Sequence, residues 1–430
     1  MNSQKLKPYV YGFCLVVVVL VIGFSLKHYV SKKAPAPATQ APVAKIDKEI
    51  LTYQQTLLTN PKDVNTLLLL ASDYQQKARD TADPSYYTKI DLLTQQAEKL
   101  DPNNGDVYLI EGALALSRHH FPLALSLGQK AVSLNPNKSV YYGVIADAQT
   151  ELGDNADAVN TLQTMVNMNP DYSAYSRIAY ARELHGDING AEAAINTAVE
   201  AGSTYAENQA WGYNQLGILY ERNDLPKALE QFNLAIGAVP NYAPALEQLA
   251  RVDFVQGDSQ KAISLLQQAQ NVVPLAQYYI DLGEVYQRTG DTTKAAQQYE
   301  LAKLAFQAAA SGDVDSNMEN SLFLSEHDLD YPTSLTLALK SLPTRGSIYG
   351  DDAVAWAYYK NNDLVNAQKY ITMALRLGDY DPGIVFHAAQ IAEAAGNKPA
   401  AKQLYQTVLN LNPSFSFLYN GIAQEKLKQL

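Results

Sequence analysis

The chain has 430 residues, of which 47% are hydrophobic, and a formal net charge of −11. All 44 acidic residues follow position 45, so the larger part of the chain carries an acidic field that disfavours nucleic acid and anionic lipid as its partners. The single cysteine, Cys14, lies in the apolar N-terminal run, which excludes an internal disulfide and a thiolate metal site from the remainder.

The chain starts with a short tail, 1–8, and a long apolar run. Residues 9–26 contain no charge, and a helix of that length spans about 27 Å, close to the thickness of a bilayer core. We predict a transmembrane helix over 9–30 rather than a cleaved signal peptide, because the run is longer than usual for a signal sequence and Pro37 would follow the cleavage site. Lysines on both sides leave its orientation open, while the short tail favours translocation of the C-terminal part.

A spacer and a first helix follow. Residues 31–44 include APAPATQAPV, whose prolines favour an extended, semi-rigid connection between the membrane and the rest of the chain. Residues 45–59, KIDKEILTYQQTLLT, predict one helix that ends ahead of Asn60-Pro61.

From residue 60 onward the chain repeats a 34-residue unit, best seen in 241–274. Two apolar-periodic runs flank Gly257-Asp258, and Ala262, Leu266 and Ala269 provide small, large and small side chains on the second run. A turn residue followed five positions later by alanine recurs eight times, at His119/Ala124, Gly153/Ala158, Gly186/Ala191, Asn223/Ala228, Gly257/Ala262, Gly290/Ala295, Asn362/Ala367 and Gly396/Ala401. Such helix pairs cannot bury their apolar faces alone, which predicts an all-α array of stacked pairs.

This pattern resembles the tetratricopeptide repeat (TPR) family, and the resemblance covers roughly 60–430. It implies a right-handed superhelical α-solenoid of TPR helix pairs, preceded here by the N-terminal transmembrane helix. We divide the array into a first part over 45–310, a diverged helix pair or hinge over 311–346, further pairs over 347–413 and a C-terminal capping helix over 414–430. Within 327–430, stretches such as DAVAWAYYK and ALRLG are similar to bacterial members of the family.

No catalytic constellation accompanies the repeats. The sequence contains no HExxH, CxxC, GxxxxGK[ST] or GxSxG motif, and its six histidines fall in different repeats or at the membrane. We therefore expect no enzyme activity, no cofactor, no metal site and no small-molecule substrate. His387, within a helix, is interpreted as a packing residue.

The family resemblance implies that the first helix of each pair lines a concave groove that binds a partner protein or peptide. Aromatic and charged side chains on an exposed groove are typical of interface anchors, and we expect Trp356 and Tyr359 to act in this way. The predicted partner-binding residues are Tyr349, Asp352, Trp356, Tyr359, Glu247, Arg251, Phe254, Gln277 and Glu284.

The favoured function is a non-catalytic, membrane-anchored scaffold that assembles a cell-envelope complex. It would be a single-pass protein of the bacterial cytoplasmic membrane, with its soluble domain outside the cytoplasm. Two alternatives stay open: an accessory subunit of a glycosyl- or peptidoglycan-modifying or secretion complex, and an envelope chaperone that holds unfolded clients.

Overall fold

A computed structural model describes residues 45–203, 205–378 and 380–430. The predicted tail, transmembrane helix over 9–30 and spacer over 31–44 lie outside the described residues. Among the described helices, none combines the length and the apolar character needed to cross a membrane. The chain divides after Thr52 into two units, and the array belongs to the second, Tyr53–Leu430.

The described residues form 22 α-helices, one short 3-10 helix at Leu342–Thr344 and no strand. The first eleven are α1 Lys45–Thr59, α2 Val64–Thr81, α3 Ser85–Leu100, α4 Gly105–Ser117, α5 Phe121–Leu134, α6 Ser139–Leu152, α7 Asn155–Met168, α8 Tyr172–Leu184, α9 Ile188–Ala201, α10 Ala206–Glu221 and α11 Leu225–Ala238. The others are α12 Ala243–Val255, α13 Ser259–Val272, α14 Ala276–Arg288, α15 Thr292–Ser311, α16 Asn317–Glu326, α17 Tyr331–Ser341, α18 Ile348–Lys360, α19 Leu364–Ala374, α20 Pro382–Ala394, α21 Lys398–Leu411 and α22 Tyr419–Gln429.

The second helix of each pair buries one narrow stripe. In α13 the buried residues are Ala262, Leu266 and Ala269, each without exposed surface, and α14 buries a far larger share of its residues. The predicted small–large–small stripe is thereby confirmed. A helix that is buried on most of its faces lies in the interior of the array. We therefore call the even-numbered helices from α2 to α20 the inner helices and the odd-numbered helices from α3 to α21 the outer helices.

The turns within pairs use left-handed backbone and aspartate caps. Gly257 has φ +96° and Gly290 has φ +87°, a region that glycine enters without the penalty of a Cβ atom. Asp258 then accepts a hydrogen bond from the Lys261 N–H, and Asp291 accepts one from the Lys294 N–H. These caps fix where each outer helix starts.

Two helices, α16 and α17, occupy the segment predicted as a diverged pair or hinge. Their turn contains no glycine, and Asp328 adopts the left-handed conformation at φ 56°. Buried serines replace the usual apolar contacts: the Ser321 hydroxyl donates to the Ser334 carbonyl at 2.9 Å, and the Ser334 hydroxyl donates to the Ser321 carbonyl at 2.9 Å. Reciprocal hydrogen bonds satisfy these buried polar groups, which allows the two helices to approach closely.

The prediction of one helix over 414–430 is wrong at its start, because α22 begins at Tyr419. In the turn ahead of it, the Ser416 hydroxyl accepts hydrogen bonds from the backbone N–H groups of Leu418 and Tyr419, both at 3.1 Å. Residues ahead of it form turns that bury Phe417 against the interior, where its ring lies 5.6 Å from that of Phe254.

The array also closes on itself. Turns within pairs of the first half contact the linkers between pairs of the second half, and hydrogen bonds join residues 191 to 196 positions apart. Successive contacts join Arg118 to Asp315, Gly153 to Gly346, Gly186 to Tyr380 and Glu221 to Asn412. Repeat arrays normally make contacts between neighbouring repeats alone, so this stacking of one superhelical layer on another is an addition to the predicted solenoid.

Gly153→Ala tests the contact between the layers. A Cβ atom at this position would clash with the carbonyl oxygen of Gly346, in addition to the cost of φ +86° for a non-glycine residue. We expect a loss of about 2–4 kcal/mol in the free energy of unfolding, from about 1 kcal/mol of backbone strain and the rest from overpacking. Gly257→Ala is the matched control, because φ there is +96° with open space around the Cβ position. Equal losses in urea denaturation of the two variants would contradict a tight contact between layers.

An acidic cavity lined by the inner helices

The inner helices enclose a cavity of about 1170 Å³. Side chains from the inner helices α8, α10, α12, α14, α16, α18 and α20 reach it, together with residues 81–87, residues 305–309 of the outer helix α15 and the turns that precede α22. Residues far apart in sequence, from Thr81 to Tyr419, therefore meet on its wall. This cavity exceeds the usual range of about 300–1,000 Å³ for small-molecule pockets.

The wall is strongly acidic. Two arginines, Arg222 and Arg251, face nine carboxylates: Asp83, Glu183, Glu247, Asp281, Glu284, Glu319, Glu326, Asp352 and Asp381. Aromatic rings supply much of the apolar lining, from Tyr87, Phe306, Phe323, Tyr349, Phe415, Phe417 and Tyr419. The acidic field expected from composition is therefore concentrated inside the array as well as on its surface.

Both arginines are already neutralised by ion pairs between adjacent inner helices. Arg222 contacts Glu183 at 3.1 Å, and Arg251 contacts Glu221 at 2.8 Å. Glu221 is 3% exposed and also accepts a hydrogen bond from Asn412 at 3.1 Å. Since buried ions are costly unless paired, these contacts hold neighbouring pairs in register. Three more of the nine carboxylates also have partners: Glu319 contacts Arg345 at 2.6 Å, Glu284 contacts His327 at 3.0 Å and Asp352 contacts His387 at 3.0 Å.

Burial raises the pKa of the carboxyl groups of Glu247, Asp281 and Asp381. Removal from water penalises the ionised form, and neighbouring acids add to the effect: Glu221 acts on Glu247, and Glu247 acts on Asp281. Arg251 opposes the shift at Glu247, and two backbone N–H groups oppose it at Asp381. These carboxyl groups therefore hold protons more tightly in the folded chain than in the unfolded chain.

The raised pKa of these three carboxyl groups predicts that the free energy of unfolding falls as pH rises. A carboxyl whose pKa is raised on folding stabilises the fold below its unfolded pKa of about 4, and the contribution is lost as pH rises through the folded value. We expect the melting temperature to decline as pH rises above about 4. Thermal unfolding followed by circular dichroism measures this, and a melting temperature that rises over the same range would contradict it.

Two N-cap aspartates provide matched variants for the same measurement. Asp381 accepts hydrogen bonds from the Gly383 and Ile384 N–H groups, and asparagine would keep the cap while removing the titration. Asp381→Asn should flatten the pH profile. Asp330→Asn should not, because Asp330 is an exposed cap whose pKa is lowered by hydrogen bonds from Thr333.

Six of the nine predicted partner-binding residues line the cavity. They are Glu247, Arg251, Gln277, Glu284, Tyr349 and Asp352. The family pattern selected positions on inner helices, and at these positions residues of distant repeats lie on one wall of the cavity. Whether these residues bind a partner stays a prediction.

The other three, Phe254, Trp356 and Tyr359, lie behind that wall. Trp356 is 3% exposed and stacks on the imidazole of His387, with ring centroids 4.0 Å apart. Tyr359 packs against Trp356 at 4.9 Å, and Phe254 packs against Phe417. The expectation of an exposed aromatic anchor at Trp356 is therefore wrong, because the helices that follow α18 cover the ring.

Sequence reasoning missed several polar residues on this wall, among them Glu326, Asp381 and Tyr419. His387 does pack on Trp356 as interpreted, yet it also lies against Asp352, with Nδ1 3.0 Å from both carboxylate oxygens. The available signal was the recurrence of acidic residues on inner helices. A single repeat does not show this, because the carboxylates come from several different pairs.

Comparison with known proteins agrees with the repeat pattern. The model of a family described as tetratricopeptide repeat matches residues 144–206, 185–243 and 247–313. Cellulose synthase operon protein C of Pseudomonas fluorescens (strain SBW25) is 28% identical over 153 residues, which are 34% of this chain and 12% of that protein. The matched part is thus a small fraction of the relative's length.

Several solved structures resemble the chain at low identity. The human IFIT1 dimer with m7Gppp-AAAA has a TM-score of 0.44 and 14% identity, covering 86% of this chain and 96% of that one. The APC/C hetero-tetramer Cut9-Hcn1 has a TM-score of 0.38 and 13% identity, covering 90% and 96%. Yeast Tom70 has a TM-score of 0.37 and 13% identity, covering 90% and 97%. The recurring helix pairs, the small–large–small stripes and the three matches within residues 144–313 all agree with the tetratricopeptide repeat pattern.

Proposed function

We propose that this protein is a non-catalytic scaffold that binds a basic segment of a partner protein in its acidic cavity. The observation that carries the proposal is the cavity itself, where nine carboxylates face two arginines that are already paired. Tetratricopeptide repeat arrays act in protein–protein interaction, and the cavity brings nine carboxylates onto one inner surface.

Charge complementarity selects the class of partner. Lysine or arginine side chains entering the cavity would meet carboxylates in partly desolvated surroundings, where Coulomb attraction exceeds its strength in water. Glu247, Asp281 and Asp381 would release their excess protons on binding, since a nearby cation favours the ionised form. Tyr349 and Phe415 offer rings to the apolar stems and cationic heads of those side chains.

Peptide binding to the full-length chain tests this proposal. Fluorescent hexalysine should bind and hexaglutamate should not, as measured by anisotropy at low salt. The double variant Glu247→Gln, Asp281→Asn should bind hexalysine at least tenfold more weakly. The control is Glu300→Gln with Asp224→Asn, which removes the same charge from an outer helix and a turn. Equal weakening by both variants would reduce the effect to net charge and overturn the cavity as the site.

We further propose that residues 9–30 anchor the scaffold in the bacterial cytoplasmic membrane, with 31–44 as spacer and the array outside the cytoplasm. The uncharged apolar run and the proline-rich stretch after it support this. Anchoring would raise the local concentration of a partner in a cell-envelope complex. Protease protection in spheroplasts tests it: digestion of the array by external protease is expected, and protection of the array would place it in the cytoplasm.

A second candidate is an accessory subunit of an envelope glycosyl-transfer complex, supported by the name of the similar Pseudomonas fluorescens protein, cellulose synthase operon protein C. Crosslinking in intact membranes followed by mass spectrometry separates the candidates. One stoichiometric partner supports the scaffold, an envelope synthase supports the accessory subunit, and many unfolded clients support a chaperone instead.

A further inference from the structure

Two histidines and two glutamates converge where three inner helices meet at the cavity. Glu284 lies on α14, Glu326 is the last residue of α16, and His327 follows directly. One ligand atom from each of these three lies within 4.8 Å of the others, and His327 Nε2 is 3.0 Å from Glu284 Oε1. Glu284 and Glu326 line the cavity, so an ion entering it would reach them without passing through the core.

A second observation points to a ligand at the same place. His387, on α20, is 3% exposed and also lines the cavity, and its Nε2 makes no hydrogen bond within the described part of the chain. That atom lies 3.6 Å from Glu326 Oε1, which is beyond hydrogen-bond distance. A buried ring nitrogen without a hydrogen bond, 3.6 Å from the Glu326 carboxylate of this cluster, is an available donor atom for a cation.

Both histidines are oriented as metal ligands are. Histidines that bind metal usually direct their other ring nitrogen to a carboxylate or backbone carbonyl, which fixes the tautomer and the ring. The Nδ1 atom of His327 lies 2.8 Å from the Phe323 carbonyl oxygen, and that of His387 lies 3.0 Å from Asp352. Aromatic contacts hold the rings further: Trp356 stacks on His387 at 4.0 Å, and the tilted ring of Tyr299 packs against His327 at 4.6 Å.

The distances suit a transition metal. Ligands bound tetrahedrally to Zn²⁺ at about 2.1 Å lie about 3.4 Å from one another. The nitrogen–oxygen separations here are 3.0 Å and 3.6 Å, which bracket that value. Two imidazole nitrogens with two carboxylate oxygens favour Zn²⁺ over Ca²⁺ or Mg²⁺, which take oxygen ligands.

We propose that Glu284, Glu326, His327 and His387 bind one divalent transition-metal ion of the Zn²⁺ class. The ion would join α14, α16 and α20, which belong to different helix pairs, and would neutralise part of the acidic wall. The site does not depend on the proposed function, since it needs no partner protein. A competing account treats the two imidazoles as protonated and paired with the glutamates, and the experiment must separate the two.

Metal uptake by the full-length chain, prepared without a histidine tag, makes that separation. After removal of metal with EDTA and dialysis against Zn²⁺ at neutral pH, we expect one ion per chain by mass spectrometry of the metal and by calorimetry. Co²⁺ in its place should give the intense visible absorption of a four-coordinate site. Less than one Zn²⁺ per chain, or a Co²⁺ spectrum of hexa-aqua type, would overturn the site whatever the variants do.

Isosteric variants locate the ion. His327→Gln and Glu326→Gln should each weaken Zn²⁺ binding at least tenfold. His120→Gln with Asp313→Asn is the control, because that exposed pair, 3.9 Å apart, is another histidine–carboxylate contact. Loss of binding in the control with retention in both cluster variants would place the ion elsewhere and refute the assignment. Circular dichroism verifies that each variant keeps its helical content.

Discussion

Replacing Arg251 by alanine is expected to lower the free energy of unfolding by about 3–5 kcal/mol. The side chain neutralises Glu221, which has no exposed surface on its side chain and belongs to the preceding inner helix. It also donates to Gln248 on its own helix. Removing the guanidinium would leave a buried carboxylate without its counter-ion, and this cost far exceeds that of losing one contact.

Urea denaturation followed by circular dichroism measures the loss. The control replaces both partners, Glu221→Met with Arg251→Met, which removes the ion pair without leaving a lone charge and should remain much closer to the original stability. The prediction fails if Arg251→Ala costs less than about 1 kcal/mol, the range of an exposed pair. Because repeat arrays can lose cooperativity, the comparison should use midpoints as well as extrapolated energies.

Trp356→Ala is expected to cost about 3–5 kcal/mol. Its indole is buried between His387 and Tyr359, with Tyr419 edge-on at 6.2 Å, so truncation opens a large cavity behind the acidic wall. The measured quantity is again the urea midpoint. Trp356→Phe keeps most of the buried aromatic surface and should lose less than half as much.

This expectation changes how binding data on Trp356 would be interpreted. Weakened partner binding by Trp356→Ala would reflect damage to α18 and α20, and would not identify the indole as a contact. If the variant kept the original midpoint, the burial described above would be wrong and an anchoring role would become possible again. Glu247 and Asp281 are therefore the better positions for testing the cavity.

The sequence predicted the helix pairs well because their signals are local. The turn at Gly257, the cap at Asp258 and the stripe of Ala262, Leu266 and Ala269 all lie within one 34-residue unit, and each recurs. The right-handed sense of the superhelix and the transmembrane helix over 9–30 stay predictions. The start of the last helix was misplaced because turns precede Tyr419, where the Ser416 hydroxyl accepts from two backbone N–H groups, and serine at one position is a weak signal.

The cavity could be predicted in part. Family positions on inner helices led to Glu247, Glu284 and Asp352, since a fixed offset within each repeat carries them to one face. Burial of Trp356 could not be inferred, because it depends on how α20 and the turns before α22 pack over α18. The groups around His387 likewise come from separate pairs, and no spacing within one repeat reveals their meeting.

The contact between layers has a consequence for how the chain acquires its fold. An ordinary array can nucleate in any repeat and grow from there, because each unit needs its neighbours alone. Here Arg118, Gly153 and Gly186 find their partners only when the second half has formed, and closing such long loops slows folding. Amide hydrogens in helices near both ends should then exchange with the same opening free energy as those in the middle of the array. The repeats would in that case unfold as one cooperative unit.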